Sequence, residues 1–101
     1  MNTDELISHG RARFEHAASK RLLKEKYQGK LTFASQGGMW SAGPELITLL
    51  TSCTEVDIVL LDLYENPVRV NAAELLQEAN QRWQEQMNAW LVEYEQLARN
   101  R

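Results

Sequence analysis

The sequence predicts a small α+β domain: an N-terminal helix, a β-hairpin, a short helix, a second β-hairpin and a long C-terminal amphipathic helix, with a small antiparallel sheet packed by the helices. Three observations predict it. Apolar residues recur at steps of three and four from Ala72 to Leu97. Two β-prone stretches are each interrupted by turn-forming residues. The composition, 44% hydrophobic and 25% charged, is that of ordinary globular chains. A chain of 101 residues suffices for one compact domain, spanning 1–101, and is too short for two.

The first helix is expected from about Asp4 to Tyr27, with Thr3 as N-cap and Asp4 and Glu5 on the favourable side of the helix dipole. Leu6, Ile7, Gly10, Phe14, Ala17 and Ala18 share one face, whereas Leu22, Leu23 and Tyr27 point elsewhere. The buried face therefore shifts along the helix, or the helix bends near Ser19. Gly29 is the expected stop. Leu31–Ala34 and Met39–Ser41 then form a hairpin across Ser35-Gln36-Gly37-Gly38, where the glycines supply positive φ.

Gly43-Pro44-Glu45 reads as the start of a short helix, because proline suits a first turn whose N–H groups are unpaired anyway. Leu46, Ile47, Leu49 and Leu50 give it an apolar flank, and it ends near Ser52 or Cys53. Glu55–Leu63 is apolar on both faces through its middle, as expected of a central strand covered on both sides or of one at an interface. Glu65-Asn66-Pro67 turns the chain into a short return strand, Val68-Arg69-Val70.

Asn71 caps the terminal helix, and Glu74 completes a capping-box arrangement. Ala72, Leu76, Ala79, Trp83, Met87, Trp90, Tyr94 and Leu97 fall within an arc of about 80° on the helical wheel. Nearly 30 residues at 1.5 Å rise make a rod of roughly 40 Å. A globule of this size is only about 25–30 Å across, so the rod overhangs it. The overhanging aromatics need cover, since burying each large side chain gains about 1.5–3 kcal/mol. The first helix supplies it by antiparallel packing beside Glu78, Glu85, Glu93 and Glu95, or a second copy or another protein does. The interface residues expected on this ground are Leu76, Trp83, Met87, Trp90, Tyr94 and Leu97.

Little in the chain points to catalysis. His9 and His16 lie seven apart without the further ligands of a metal centre, so no metal is expected. Cys53 has no neighbouring base to activate it. Asp57 and Asp62 are five apart on a strand and face opposite ways, a poor acid–base pair. Gly37-Gly38 lacks the Gly-Lys-Ser/Thr continuation of a phosphate loop. We expect no catalytic residues, no cofactor and no enzyme.

The net charge of −3 is unevenly distributed. Residues 1–30 carry seven Lys/Arg against four Asp/Glu, and residues 31–101 carry four against ten. Salt-bridged helix packing accounts for this asymmetry, and nucleic-acid binding by the first helix is the alternative. Of its cations, Arg13, Lys20 and Lys24 group on the wheel. The lone Cys53, the polar start Met1-Asn2-Thr3-Asp4-Glu5 and the lack of a spanning apolar run suggest a cytoplasmic protein without membrane contact.

The run Leu60–Asn71, with Met87-Asn88-Ala89-Trp90, Glu93-Tyr94-Glu95, Gly37-Gly38-Met39-Trp40 and Gly43-Pro44-Glu45-Leu46-Ile47, resembles small uncharacterised proteins of T4-like marine phages. The resemblance covers roughly residues 35–97 and carries no catalytic or binding residues. It implies a phage origin, a host cytoplasm, and a role in assembly or in adjusting a host partner. The expected function is thus an interaction or assembly domain, self-associating as a homodimer through the terminal helix. Nucleic-acid binding by the first helix is the second expectation.

Overall fold

In the computed structural model the backbone is described for residues 3–99 and side chains for residues 15–99. Expectations for the side chains of Thr3, Leu6, Ile7, His9, Arg13 and Phe14 lie outside the described residues. The chain runs α1 (Thr3–Lys30), β1 (Thr32–Ser35), β2 (Gly38–Ser41), α2 (Pro44–Ser52), β3 (Asp57–Leu61), β4 (Pro67–Asn71) and α3 (Ala72–Arg99). This is the α+β order read from the sequence, with two separate two-stranded antiparallel ribbons.

The helix α1 does not stop at Gly29. It continues to Lys30, and the Leu31 N–H bonds back to the carbonyls of Tyr27 at 3.2 Å and Gln28 at 3.3 Å. A glycine cap would need a left-handed residue there, and Gly29 is not one. The chain instead leaves the helix with Leu31, 5% exposed, already in the core and pairs at once in β1.

The first hairpin closes through a two-residue turn in which Gln36 (φ 51°) and Gly37 (φ 82°) are both left-handed, the pattern whose twist matches paired strands. Only one of the two expected glycines has positive φ; the other position is taken by Gln36. Its side-chain Oε1 accepts from the Asn71 N–H at 2.7 Å, and its Nε2 donates to the Asn71 carbonyl at 3.3 Å. That clamp offsets the cost of a non-glycine residue in the left-handed region.

The N-cap of α3 is as expected on one side: Asn71 Oδ1 accepts from the Glu74 N–H at 3.0 Å. The Asn71 N–H is taken by Gln36, so the reciprocal half of the capping box is replaced by a tertiary contact.

The core gathers Leu31, Phe33, Trp40, Ala42, Leu50, Val70, Ala72, Leu75 and Ala79, with Leu46, Ile47, Ile58, Leu60, Val68, Leu76, Trp83 and Met87 packed on its margin. Both hairpins, α2 and the N-terminal half of α3 thus share one apolar centre. Beyond it α1 and α3 run on side by side. Tyr27 meets Trp90, while Lys20 and Lys24 border the same cleft as Tyr94, so the pair is antiparallel. The overhang expected from helix length is present: the molecule measures 65 × 24 × 20 Å, with a radius of gyration of 19.2 Å. A compact domain of about 100 residues has a radius near 13 Å.

Candidate interaction surfaces

The clearest departure from the sequence reading is β3. As a strand covered on both faces it would contain buried residues, and it has none. Its only strand partner is β4, pairing Asp57↔Asn71, Ile58↔Val70, Val59↔Arg69, Leu60↔Val68 and Leu61↔Pro67. Ile58 and Leu60 turn inward to the core, while Val59 and Leu61 stand in solvent. Val56, Val59, Leu61, Leu63 and Tyr64 are 70, 56, 66, 51 and 71% exposed. Leu61 and Leu63 also line a cleft of about 610 Å³ with Leu46 and Leu49 of α2.

The two outer edges of this ribbon differ. The Ala72 N–H bonds to the Val56 carbonyl at 2.9 Å and the Asp62 N–H to the Asn66 carbonyl at 3.0 Å, so the even-numbered residues of β3 point their backbone groups at β4. The odd-numbered residues point theirs outward. Past the end of the strand, in the turn, Leu63 donates its N–H to the Met39 carbonyl at 2.9 Å, which ties the two hairpins together. Among the described residues, the outward groups of Asp57, Val59 and Leu61 have no backbone partner. The other edge offers less: Pro67 has no N–H and Asn71 is held by Gln36, which leaves Arg69 as the β4 residue with both outward groups unpaired among the described residues.

Asp62 sets the end of β3. It is 9% exposed. Its Oδ1 accepts from the N–H groups of Tyr64 at 2.9 Å and Asn66 at 3.0 Å, and its Oδ2 from Met39 at 3.2 Å. These donors, Asn66 foremost, hold its carboxyl below the ordinary 3.8 against the opposing effect of burial. Asp57, by contrast, is exposed, so the two aspartates do not form a pair. Because the folded value is the lower one, the contribution of Asp62 is complete above its unfolded value and is lost as pH falls through the folded value. Asp62→Asn should therefore lower Tm at neutral pH. It should also flatten the dependence of stability on pH below about 3.8, read by thermal denaturation against pH. Parallel curves for the two proteins in that window would refute this role.

At the junction of the helical arm Tyr27 is 2% exposed and stacks on Trp90, with ring centroids 5.9 Å apart and planes 8° from parallel. The Tyr27 hydroxyl donates to Glu93, which also pairs with Lys26 Nζ at 2.6 Å. Bonds from Lys26 and then Tyr27 hold the Glu93 carboxyl below its ordinary range, and the bond to Glu93 raises the Tyr27 hydroxyl. Of the four glutamates expected beside the basic helix, Glu93 alone is ion-paired among the described residues. That pair is largely exposed, so the stacked rings rather than the charges hold α1 to α3 here.

The residues expected at an interface fall in two groups. Leu76, Trp83 and Met87 pack against the chain's own core, and Trp90 is stacked on Tyr27. Tyr94, 40% exposed, and the half-buried Leu97 lie further out on the arm. Of the cations expected to bind nucleic acid, Lys20 and Lys24 are exposed and border one cleft; the Arg13 side chain lies outside those described. Of the two readings the sequence left for Glu55–Leu63, a strand covered on both sides is excluded, and one with an exposed apolar face is what the structure has. Sequence could not choose between them, because β1 and β2 could have joined the same sheet; in the structure the two hairpins form separate ribbons. Arg21, a cation of the same helix outside the tight group on the wheel, borders this cleft beside Lys20 and Lys24.

His16 is half-buried, and the Cys53 thiol donates to the Leu49 carbonyl at 3.3 Å. Among the described residues no three His, Cys, Asp or Glu side chains converge as metal ligands, and no helix is long and apolar enough to cross a membrane. No family model, curated protein or solved structure matches the chain.

Proposed function

We propose that this chain is a non-enzymatic interaction module that self-associates through the open edge and exposed apolar face of β3. The observation that carries the reading is the asymmetry of the second hairpin: a β4 edge interrupted by Pro67 and by the Gln36 clamp on Asn71, with Arg69 alone free between them, and a β3 edge whose Asp57, Val59 and Leu61 carry free outward backbone groups. Such an edge is a template for another strand. A second copy fits it with a symmetric antiparallel register centred on Val59. Each Val59 faces its counterpart, each Asp57 faces a Leu61, and all three outward positions are paired.

The side chains favour the same contact. Val56, Val59, Leu61, Leu63 and Tyr64 together offer apolar surface on the order of 500 Å² per copy, the scale of a functional patch. With a polar rim this approaches the roughly 800 Å² per partner of a standard interface. Asp57 is the one charged residue on the strand, so little opposes the pairing of two copies. The helix stripe expected to mediate association is mostly engaged within the chain, which supports moving the contact to β3.

The test is mass in solution across a concentration series. The unaltered protein should be a dimer at roughly 100 µM, a concentration that populates even a weak complex. Val59→Lys should leave a folded monomer with an unchanged far-ultraviolet spectrum, since Val59 is exposed. Val92→Lys, on the exposed side of α3, serves as control and should remain dimeric. A monomer throughout the series would overturn the proposal, as would dissociation by Val92→Lys in place of Val59→Lys.

A further inference from the structure

The antiparallel arm carries a second surface that self-association through β3 leaves untouched. Ala17, Lys20, Arg21 and Lys24 follow one another at steps of three, one and three, so they share a single face of α1. With Trp90 and Tyr94 of α3 they line an open cleft of about 560 Å³. In an ordinary helix pair these α1 positions would carry leucines facing the aromatics. Here one is alanine and three are cations.

Those cations are uncompensated. Among the described residues the single ion pair is Lys26–Glu93, so Lys20, Arg21 and Lys24 take part in none. Residues 15–30 hold Lys20, Arg21, Lys24, Lys26 and Lys30 against Glu15 and Glu25, in a chain whose net charge is −3. The α1 wall of the cleft is therefore basic within an acidic molecule and faces an aromatic floor, while α3 brings Glu93 and Glu95 on either side of Tyr94 in the sequence. Tyr94 is 40% exposed, and Trp90 is half-buried with Tyr27 stacked on one side.

We infer that this cleft binds a short stretch of single-stranded nucleic acid. An unpaired base stacks on Tyr94 and the margin of Trp90, while Lys20, Arg21 and Lys24 take the flanking phosphates. Charge complementarity selects a polyanion, and the aromatic floor selects one that offers free π-faces. A duplex hides those faces in its stack, and an acidic peptide offers none at regular intervals.

The probe is a labelled oligothymidylate of about 12 nucleotides, followed by fluorescence anisotropy. Binding should be measurable at about 50 mM salt. The logarithm of the association constant should fall against the logarithm of salt with a slope near −2, as expected for about three phosphate contacts on a single strand. Lys20→Gln with Lys24→Gln should flatten that slope by about 1.4. Tyr94→Ala should weaken binding about tenfold with little change in slope, because stacking releases no counterions. All three substituted positions are exposed, so the fold should survive, as a far-ultraviolet spectrum would verify. Val59→Lys should bind as the unaltered protein does, which separates this site from self-association.

Lack of binding at about 50 mM salt would overturn the inference. So would equal affinity for heparin together with indifference to Tyr94→Ala, which would reduce the cleft to a nonspecific basic patch. Preference for a duplex, or for an acidic peptide over the oligonucleotide, would equally refute it.

Discussion

Trp40→Ala should cost about 3–5 kcal/mol of stability and lower Tm by roughly 15 °C or more. Trp40 is 3% exposed, lies across from the buried Phe33, and its Nε1–H donates to the Ser35 carbonyl at 2.9 Å. Removing the ring leaves a cavity that the short hairpin cannot collapse to fill, and also leaves a carbonyl without its donor. The same ring explains Gly38. A Cβ on Gly38 would lie 2.6 Å from Trp40 Cζ2 and 2.9 Å from Cε2, well inside contact distance. The ring is pinned by its hydrogen bond and by the core, so it cannot swing away. Gly38→Ala should therefore cost about 1–3 kcal/mol through overpacking alone. Combined with Trp40→Ala the clash disappears, so the two losses should be clearly less than additive in denaturant unfolding. Full additivity would mean that Gly38 serves some purpose other than leaving room for the ring.

Leu75→Ala should lose about 2–5 kcal/mol, a large share of the 5–15 kcal/mol that holds a typical domain together. Leu75 is completely buried, in one apolar cluster with Val70, Leu50, Ala72 and Ala79. Its neighbour Leu76 is half-buried at the margin of the same cluster. Leu76→Ala should accordingly cost less than Leu75→Ala when both are measured by urea unfolding. The opposite order would mean that α3 is rotated on its axis relative to the packing described above.

That comparison also marks how far periodicity carried. The wheel placed Leu76 on the buried stripe and left Leu75 off it, because spacing defines an arc and not what stands opposite that arc. Near the N-terminus of α3 the hairpins and α2 reach round the helix, and the buried face widens to include Leu75. Further along only α1 remains opposite, and the stripe narrows to Trp90 on Tyr27. The cap at Asn71 and the proline start of α2 were legible because they depend on neighbours in the chain. The Gln36 clamp on Asn71 was not, since those residues lie 35 positions apart.

The candidate surfaces divide in the same way. Lys20 and Lys24 could be grouped from spacing, but Trp90 and Tyr94 join them only because α1 and α3 run antiparallel. The apolar run in β3 was plain in the sequence, which left it between a covered central strand and one at an interface. A strand apolar on both faces is buried in a large sheet and exposed in a two-stranded ribbon, and the difference lies in what the rest of the chain provides.

By itself, then, the sequence determined the element order, the places of the turns, the Asn71 cap and the long terminal helix. Each of these is set by backbone preferences and hydrogen bonds between residues a few positions apart. Tertiary structure alone decided which apolar surfaces are consumed. The aromatic stripe of α3 is largely covered by the chain's own core and by Tyr27, and the outer edge of β3 is left open. Burial belongs to pairs of surfaces, and the second member of each pair is supplied by packing distant segments together.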